Sequence, residues 1–318
     1  MTATRNRIVI SEFMDEDAVA LLDAEFDVRY EPTLVDSPAA LAKAVTAAQA
    51  LIVRNRTQVR GEVLDAAPLL KVVGRLGVGL DNIDVAACDS RGILVIPATG
   101  ANAIAVAEYV VATAMLLLRG AYLSTPAVAA GAWPRNALGL GREAAGRTLG
   151  LVGFGSIGQV TAGKAAALGM KVIAHDALID EDSLVWAVSG IRGTSLENLL
   201  RVSDVVSLHM PLTPATRGCF SREVMQSMKP GAILVNTARG GIVDEAALAE
   251  LLASGHLGGA AIDVFADEPL PAGSALAGAP NVILTPHIAG LTMEANERVS
   301  DLIARRVAES LRGPVKRK

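Results

Sequence analysis

Two kinds of hydrophobic pattern alternate along the chain. Short runs of consecutive apolar residues, bounded by Gly, Pro or polar residues, read as strands buried on both faces. Between them, apolar positions recur every three to four residues, as on one side of a helix. This alternation predicts parallel α/β units. The first part reads as "RIVIS", a helix over Asp15–Ala24, "FDVRYE", a helix over Pro38–Gln49 with Ser37 as N-cap, "ALIVRN", a short helix near Glu62–Ala66, "KVVGRLG" and "ILVIPA". A helical segment from Asn102 to Arg119 follows, its run Val110–Leu118 too short to span a bilayer and preceded by Glu108, so a buried core helix is expected.

A second series then opens at "RTLGLVGFGSIG", with further strands at "KVIAHD", "DVVSLHM", "AILVNTA", "GAAIDVF" and "NVILTP". The last segment, Thr292 to Leu311, has an amphipathic helical pattern and is expected to return to the first domain. The predicted architecture is α/β, with two doubly wound parallel-sheet domains. Residues 1–99 and 290–318 would form a discontinuous flavodoxin-like domain, into which a domain of residues 100–289 is inserted.

Composition narrows the function classes. The chain has 318 residues, enough for two domains, and is 51% hydrophobic but only 3% aromatic. Abundant Ala and Gly favour close helix–sheet packing. A net charge of −4 implies no general affinity for nucleic acid, and the basic Lys316-Arg317-Lys318 tail reads as solvated. Cys88 and Cys219 are far apart and lack metal-ligand spacing, which suits a reducing cytoplasm; no metal, membrane or nucleic-acid partner is expected.

"LVGFGSIG" places Gly153, Gly155 and Gly158 in the G-x-G-x-x-G spacing. The motif alone is weak, but here a strand precedes it, a helix from Ile157 to Leu168 follows, and a second strand ends at Asp176, 18 residues after Gly158. That is the context of a Rossmann-type dinucleotide site, with the pyrophosphate on the helix N-terminus and the acid on the ribose. Asp176 would repel the 2′-phosphate of NADP, and Ala177 offers no compensating cation, so NAD is the expected cofactor.

Each of the four histidines can be weighed. His175 sits at a strand end beside Asp176 and reads as structural or near the adenine; His256 follows a helix C-terminus. His209 could line the cofactor cleft, and His287 lies just past a strand, on the edge where open α/β sheets place ligands. Arg239 and Glu268 follow two other strands of the same series. A cation, a carboxylate and an imidazole on one edge suit hydride transfer on a 2-oxo or 2-hydroxy acid. Individually, Arg239 could cap a turn, Glu268 could be solvated and His287 could be a satisfied buried group.

The segments "LVGFGSIG", "HMPLTPATRG", "MKPGAILVNTARGGIVDEAAL", "GGAAIDVFADEPL" and "NVILTPHIAG" resemble the D-isomer-specific 2-hydroxyacid dehydrogenase family, in its order, over most of residues 70 to 290. The resemblance implies two domains with a cleft between them, usually in a homodimer. It implies Arg239 as carboxylate clamp, His287 as acid/base and Glu268 as its partner. It also implies cofactor contacts from Ser156, Ile157, Asp176, His209, Pro211, Thr216, Thr237, Ala238 and Asp263. Formate dehydrogenases are similar but lack the glutamate.

The first domain is implied to read the substrate. "VGRLGVGLDNID" is similar to the loop whose amides meet the substrate carboxylate, at Leu76, Gly77, Val78 and Gly79. "LIVRN" resembles 3-phosphoglycerate dehydrogenases, in which an arginine matching Arg54 helps bind the distal phosphate. Arg56 and Arg135 add cations, and the wider pattern resembles the (S)-sulfolactate dehydrogenase branch, whose S label describes the same spatial arrangement as D-lactate. On spacing alone, Arg54 and Arg56 could share a strand face and need a second anion between them. Equally, one could pair with Glu62, Asp65 or Asp81 and the other lie in solvent. Broad hydroxypyruvate or glyoxylate reduction, and an NADH-sensing binding protein, are the rival readings.

Overall fold

The computed structural model describes residues 5–120, 124–180 and 182–313. The Lys316-Arg317-Lys318 tail and Ala121–Leu123 of the "GAYLSTP" segment lie outside them. The elements run β1 (Arg7–Ile10), α1 (Glu16–Asp23), β2 (Asp27–Tyr30), α2 (Pro38–Val45), β3 (Ala50–Val53), α3 (Glu62–Asp65), β4 (Val72–Arg75), α4 (Val85–Ser90) and β5 (Leu94–Pro97). Then come α5 (Ala103–Arg119), α6 (Thr125–Ala129), α7 (Arg135–Leu138), β6 (Thr148–Val152), α8 (Ser156–Ala167), β7 (Lys171–His175), α9 (Leu184–Ser189), β8 (Arg192–Gly193), α10 (Leu196–Val202) and β9 (Val205–Leu208). The chain continues through α11 (Arg222–Gln226), β10 (Ala232–Asn236), α12 (Glu245–Ala253), β11 (Leu257–Ile262), β12 (Val282–Leu284) and α13 (Met293–Arg312). Two compact units result: residues up to Asn102 together with those from Leu291, and Ala103–Gly290.

The first unit holds a five-stranded parallel sheet in the order β2-β1-β3-β4-β5. Its central strands are apolar at nearly every position because helices cover both faces. The strand order reverses between β1 and β3, the switch point of a flavodoxin-like sheet. Ser37 does occupy the N-cap place of α2, but its side chain makes no capping bond. It also terminates the 3₁₀ turn Pro32–Asp36, its N–H donating to Leu34 O, and its backbone is set by that role.

Helix α13 completes this unit. Thr292 Oγ1 caps it by accepting from Ala295 N at 3.0 Å. Val299, Ile303 and Val307 form its buried stripe and join the cluster around Ile8, Ile52 and Val72. Gly74 on β4 makes this approach possible. A Cβ there would meet Ile303 Cγ2 at 2.7 Å and Val307 Cγ2 at 2.9 Å.

The second unit has a seven-stranded sheet in the order β12-β11-β10-β9-β6-β7-β8, all parallel. This is the Rossmann order with an added edge strand, and it switches direction between β6 and β9. β8 has two residues, too few to show as a pattern. Helix α5 corrects one expectation. Val106, Val110, Ala114 and Leu117 are buried against the sheet, but Ile104, Met115 and Leu116 stay 45%, 42% and 42% exposed, so an apolar stripe is left uncovered in the described chain. Among the described residues no helix is long and apolar enough to cross a membrane.

His209 closes the end of β9. Its N–H donates to Val152 O at 2.7 Å, and its Nε2 lies 3.0 Å from Ser207 Oγ. Surrounding protein atoms push the imidazole down from 6.5 to about 4, so it is neutral at pH 7.

Two outcomes follow from this packing. Gly74→Ala should destabilise the protein by about 1–3 kcal/mol in urea unfolding, because the two α13 side chains must shift to admit one methyl. An unchanged midpoint would remove the close-packing account. For His209, the unfolded imidazole takes up its proton as pH falls through 6.5, while the folded one resists until about 4. The stability contributed is therefore complete above 6.5 and lost progressively between 6.5 and 4, on the order of 3 kcal/mol in all. Comparing unfolding at pH 7 and 4.5, His209→Gln should lose less stability than the parent; equal losses would contradict a ring held neutral by the fold.

Candidate active site

The loop after β6 uses each glycine of its fingerprint for a different reason. Gly153 has φ +98°, and a Cβ there would sit 2.7 Å from the carbonyl of His209. At Gly158 a Cβ would lie 2.5 Å from Gly153 O, which sets the close helix–strand packing. Gly155 faces open space and stands at the N-cap of α8 with no side chain filling that role. Free N–H groups at a twelve-residue helix start suit a pyrophosphate. Asp176 braces the loop, its Oδ2 accepting from Phe154 N at 2.7 Å and its Oδ1 from Leu178 N at 2.9 Å. Beyond β10, Thr237 Oγ1 is buried with no hydrogen-bond partner in the described chain, a polar atom that a cofactor would satisfy. These residues fit a nicotinamide dinucleotide.

Arg239, Glu268 and His287 follow β10, β11 and β12. The register Asn236↔Ile262↔Leu284 starts their three loops at one level of the sheet edge. Glu268 and His287 meet: Nδ1 of the imidazole is 2.9 Å from Oε2 and 3.1 Å from Oε1. Glu268 Oε1 also accepts from Phe265 N at 3.1 Å, which fixes the carboxylate. With Nδ1 engaged as donor, Nε2 is the nitrogen left for chemistry. Buried Asn236 shapes the arginine turn, accepting from Ala238 N and donating to Arg239 O, both at 3.1 Å. Arg239 itself is half-buried and donates to Ala238 O at 2.6 Å.

His287 has φ +56°, a left-handed conformation that costs a non-glycine residue about 1–3 kcal/mol. Asp263 holds it there. Its carbonyl accepts from His287 N at 2.8 Å, and its carboxylate accepts from Ile288 N and Ala289 N at 2.8 Å each and from Thr285 Oγ1 at 2.6 Å. Tyr109 on α5 lies 2.5 Å from the same Thr285 hydroxyl. Asp263 was expected as a cofactor contact; in the fold its carboxylate already serves three donors of its own chain and positions the histidine. Sequence reading missed Asn236, Thr285 and Tyr109 because nothing in their local pattern separates them from ordinary strand-end and helix residues.

Among the remaining expected positions, Ser156 and Ile157 open α8, and Ala238 is buried in the arginine turn. Thr216 Oγ1 donates to Pro211 O at 2.7 Å and accepts from Thr213 N, so it shapes the Pro211–Thr216 loop. His175 Nδ1 bonds Thr194 O across to β8, a structural role, and His256 Nδ1 meets Gln226. Arg135 is exposed on α7, in the same unit as the fingerprint and not in the unit of Arg54.

In the first unit, Arg54 and the Leu76–Gly79 loop leave the adjacent ends of β3 and β4, paired as Val53↔Arg75, with Leu76 N donating to Val53 O at 2.8 Å. Leu76 and Gly77 are buried; Val78 and Gly79 are half-buried. The shared strand face expected for Arg54 and Arg56 is not formed, because β3 ends at Val53. Arg54 turns to Asn296, with Nη2 2.5 Å from Oδ1, and its guanidinium carbon stands 5.7 Å from the ring centre of Phe13. Arg56 instead forms an exposed ion pair with Asp36 at 2.5 Å, a partner outside the expected set of Glu62, Asp65 and Asp81.

Comparison with known proteins gives this arrangement its setting. Residues 111–289 match the family described as D-isomer specific 2-hydroxyacid dehydrogenase, NAD binding domain. The (S)-sulfolactate dehydrogenase of Chromohalobacter salexigens is 53% identical over 96% of this chain and 98% of its own length. D-3-phosphoglycerate dehydrogenase 2 of Arabidopsis thaliana, a chloroplastic protein, is 41% identical over 98% of this chain, which spans about half (49%) of that longer protein. The crystal structure of the TT0316 protein from Thermus thermophilus superposes with a TM-score of 0.86 at 37% identity, covering 96% of this chain and 97% of that one. A match through most of the nucleotide-binding unit, joined to likeness along nearly the whole sequence, means that this chain belongs to the D-isomer-specific 2-hydroxyacid dehydrogenases, oxidoreductases that act on 2-hydroxy acids with a nicotinamide cofactor.

Proposed function

We propose that the protein interconverts a dianionic 2-hydroxy acid and its 2-oxo acid with NAD, the substrate being (S)-3-sulfolactate and the product 3-sulfopyruvate. The observation that carries the substrate class is Arg54. Its guanidinium is half-buried at the switch point of the first sheet, and the side-chain acceptor it has found is a neutral amide. A sulfonate on C3 supplies the direct ion-pair partner that such a group lacks, in the bidentate geometry guanidinium favours. The 53% identity to a sulfolactate dehydrogenase over nearly both full lengths supports the same choice. Arg56 is assigned a minor part, since Asp36 already neutralises it. Arg135, exposed in the other unit, is a further substrate-binding candidate through its charge.

In this reading His287 Nε2 removes the hydroxyl proton as the C2 hydrogen leaves as hydride, and returns it to the carbonyl oxygen in reduction. Bound NAD supplies the hydride acceptor. Glu268 holds the ring by Nδ1 and stabilises the imidazolium. Arg239 takes the C1 carboxylate, and the amides of Leu76–Gly79 are substrate contacts from the first unit. Asp176 favours NAD over NADP by repelling a 2′-phosphate. The uncovered apolar stripe of α5 supports a homodimer. 3-Phosphoglycerate is the alternative substrate that the relative from Arabidopsis supports, and Arg54 would serve its phosphate equally.

Purified protein should reduce NAD with sulfolactate at a higher kcat/KM than with 3-phosphoglycerate, malate, glycerate or D-lactate; no turnover of any dianion would end the substrate assignment while leaving the family intact. His287→Ala should lower kcat by about a hundredfold to ten-thousandfold, and Glu268→Gln by at least about tenfold. A His287→Ala enzyme with near-parental kcat would remove the histidine from the reaction. Arg54→Ala should raise KM for sulfolactate by about tenfold or more relative to D-lactate, and Arg56→Ala much less. Equal changes on both acids for Arg54→Ala would remove the distal-anion contact.

A further inference from the structure

Glu12 is the most buried carboxylate of the first unit outside any ion pair, 5% exposed, and no step above uses it. It lies just beyond β1, on the near side of the switch point from Arg54. Its Oε1 accepts from Arg54 N at 2.8 Å and Thr57 N at 3.0 Å, and its Oε2 from Arg56 N at 3.1 Å. Buried Asn82 grips the same loop from its carbonyl side, with Nδ2 donating to Thr57 O at 2.7 Å and Arg54 O at 3.3 Å. Ser11 Oγ and Thr57 Oγ1 add a contact at 2.9 Å. The main chain that carries Arg54 is thus clamped through both its donors and its acceptors.

The side chain ends differently from that of Arg56, two residues on. Arg56 ends on the carboxylate of Asp36. Arg54 ends on the amide oxygen of Asn296, presented by α13, with Phe13 beneath the guanidinium. Glu12 is the negative charge it feels, yet both Glu12 oxygens are engaged by main-chain N–H groups. The arginine is therefore fixed in place without being neutralised by a side-chain ion pair.

We propose that Glu12 and Asn296 are positioning residues that set specificity for a second anionic group: Glu12 fixes the Arg54 loop, and Asn296 holds the guanidinium through a neutral acceptor that leaves its charge for the substrate. Phe13 completes the seat by stacking. This deepens the function proposed above and rests on the reading of Arg54 as the distal-anion contact. The substitution that isolates the idea is Asn296→Asp, nearly isosteric but anionic. A carboxylate there would pair with Arg54 and compete with the substrate's own anion.

The experiment measures kcat and KM for sulfolactate and D-lactate in the parent, Asn296→Asp, Asn296→Gln, Glu12→Gln and Arg54→Ala, with melting curves to verify folding. Asn296→Asp should lower the sulfolactate-to-lactate ratio of kcat/KM by about tenfold or more, through KM with kcat nearly kept. Asn296→Gln, which keeps a neutral acceptor, should stay within about threefold of the parent, and Glu12→Gln should fall between the two variants. If Arg54→Ala collapses the ratio while folded Asn296→Asp leaves it at the parental value, the positioning proposal is overturned and the substrate reading stands. If Arg54→Ala leaves the ratio unchanged, the substrate reading falls and takes this proposal with it.

Discussion

A carboxylate removed from water must have its lone pairs filled, or it becomes neutral or unfolds its surroundings. Two buried acids of this chain meet that demand with donors from the loops that carry the proposed chemistry, and a third does so elsewhere. Asp263 takes two backbone amides and a threonine hydroxyl from the segment that displays His287. Glu12 takes three amides from the segment that displays Arg54. Asp204, at the opposite end of the second sheet, takes Thr148 N and the ammonium of Lys229, and burial works against its charge while these bonds hold its carboxyl below the usual range. For Asp263 and Glu12, satisfying the acid and ordering the loop are one event.

That coupling explains how irregular backbone can hold a reactive geometry. A left-handed histidine is unfavourable on its own, and a loop that merely tolerated it would sample other conformations. Four hydrogen bonds to one aspartate leave it little choice. The parallel sheet does the coarser work by starting the Arg239, Glu268 and His287 loops at one level. The buried acid then refines the placement of the last of them.

Much of this was legible in the sequence, and what was missed follows a rule. Strands buried on both faces declare themselves as apolar runs, so the two α/β series and their order along the chain could be read before any coordinate. The fingerprint glycines and the Arg–Glu–His set were legible because their chemistry is tied to strand ends. Partnerships between residues distant in sequence were not. Nothing in "ISEF" says that its glutamate feeds the amides of "RNRT", and nothing in "MEANERV" says that its asparagine meets Arg54. The partners of the two arginines were hidden for the same reason. Their spacing suggested a common face, but the strand ends one residue earlier and each finds a different partner. A two-residue strand such as β8 carries too little pattern to be seen at all.

The return of α13 to the first sheet has a consequence for how the protein is made. Gly74 and its neighbours on β4 leave the ribosome early, but Ile303 and Val307, which fill the space above them, come only after the entire nucleotide-binding unit has been synthesised. Until then one face of the first sheet has only α1 as cover and exposes part of its apolar surface to the cell, whereas the inserted unit already has every strand of its own. The nascent chain would thus complete the inserted unit first and the enclosing one last, and the interval between them is when chaperones have most to protect.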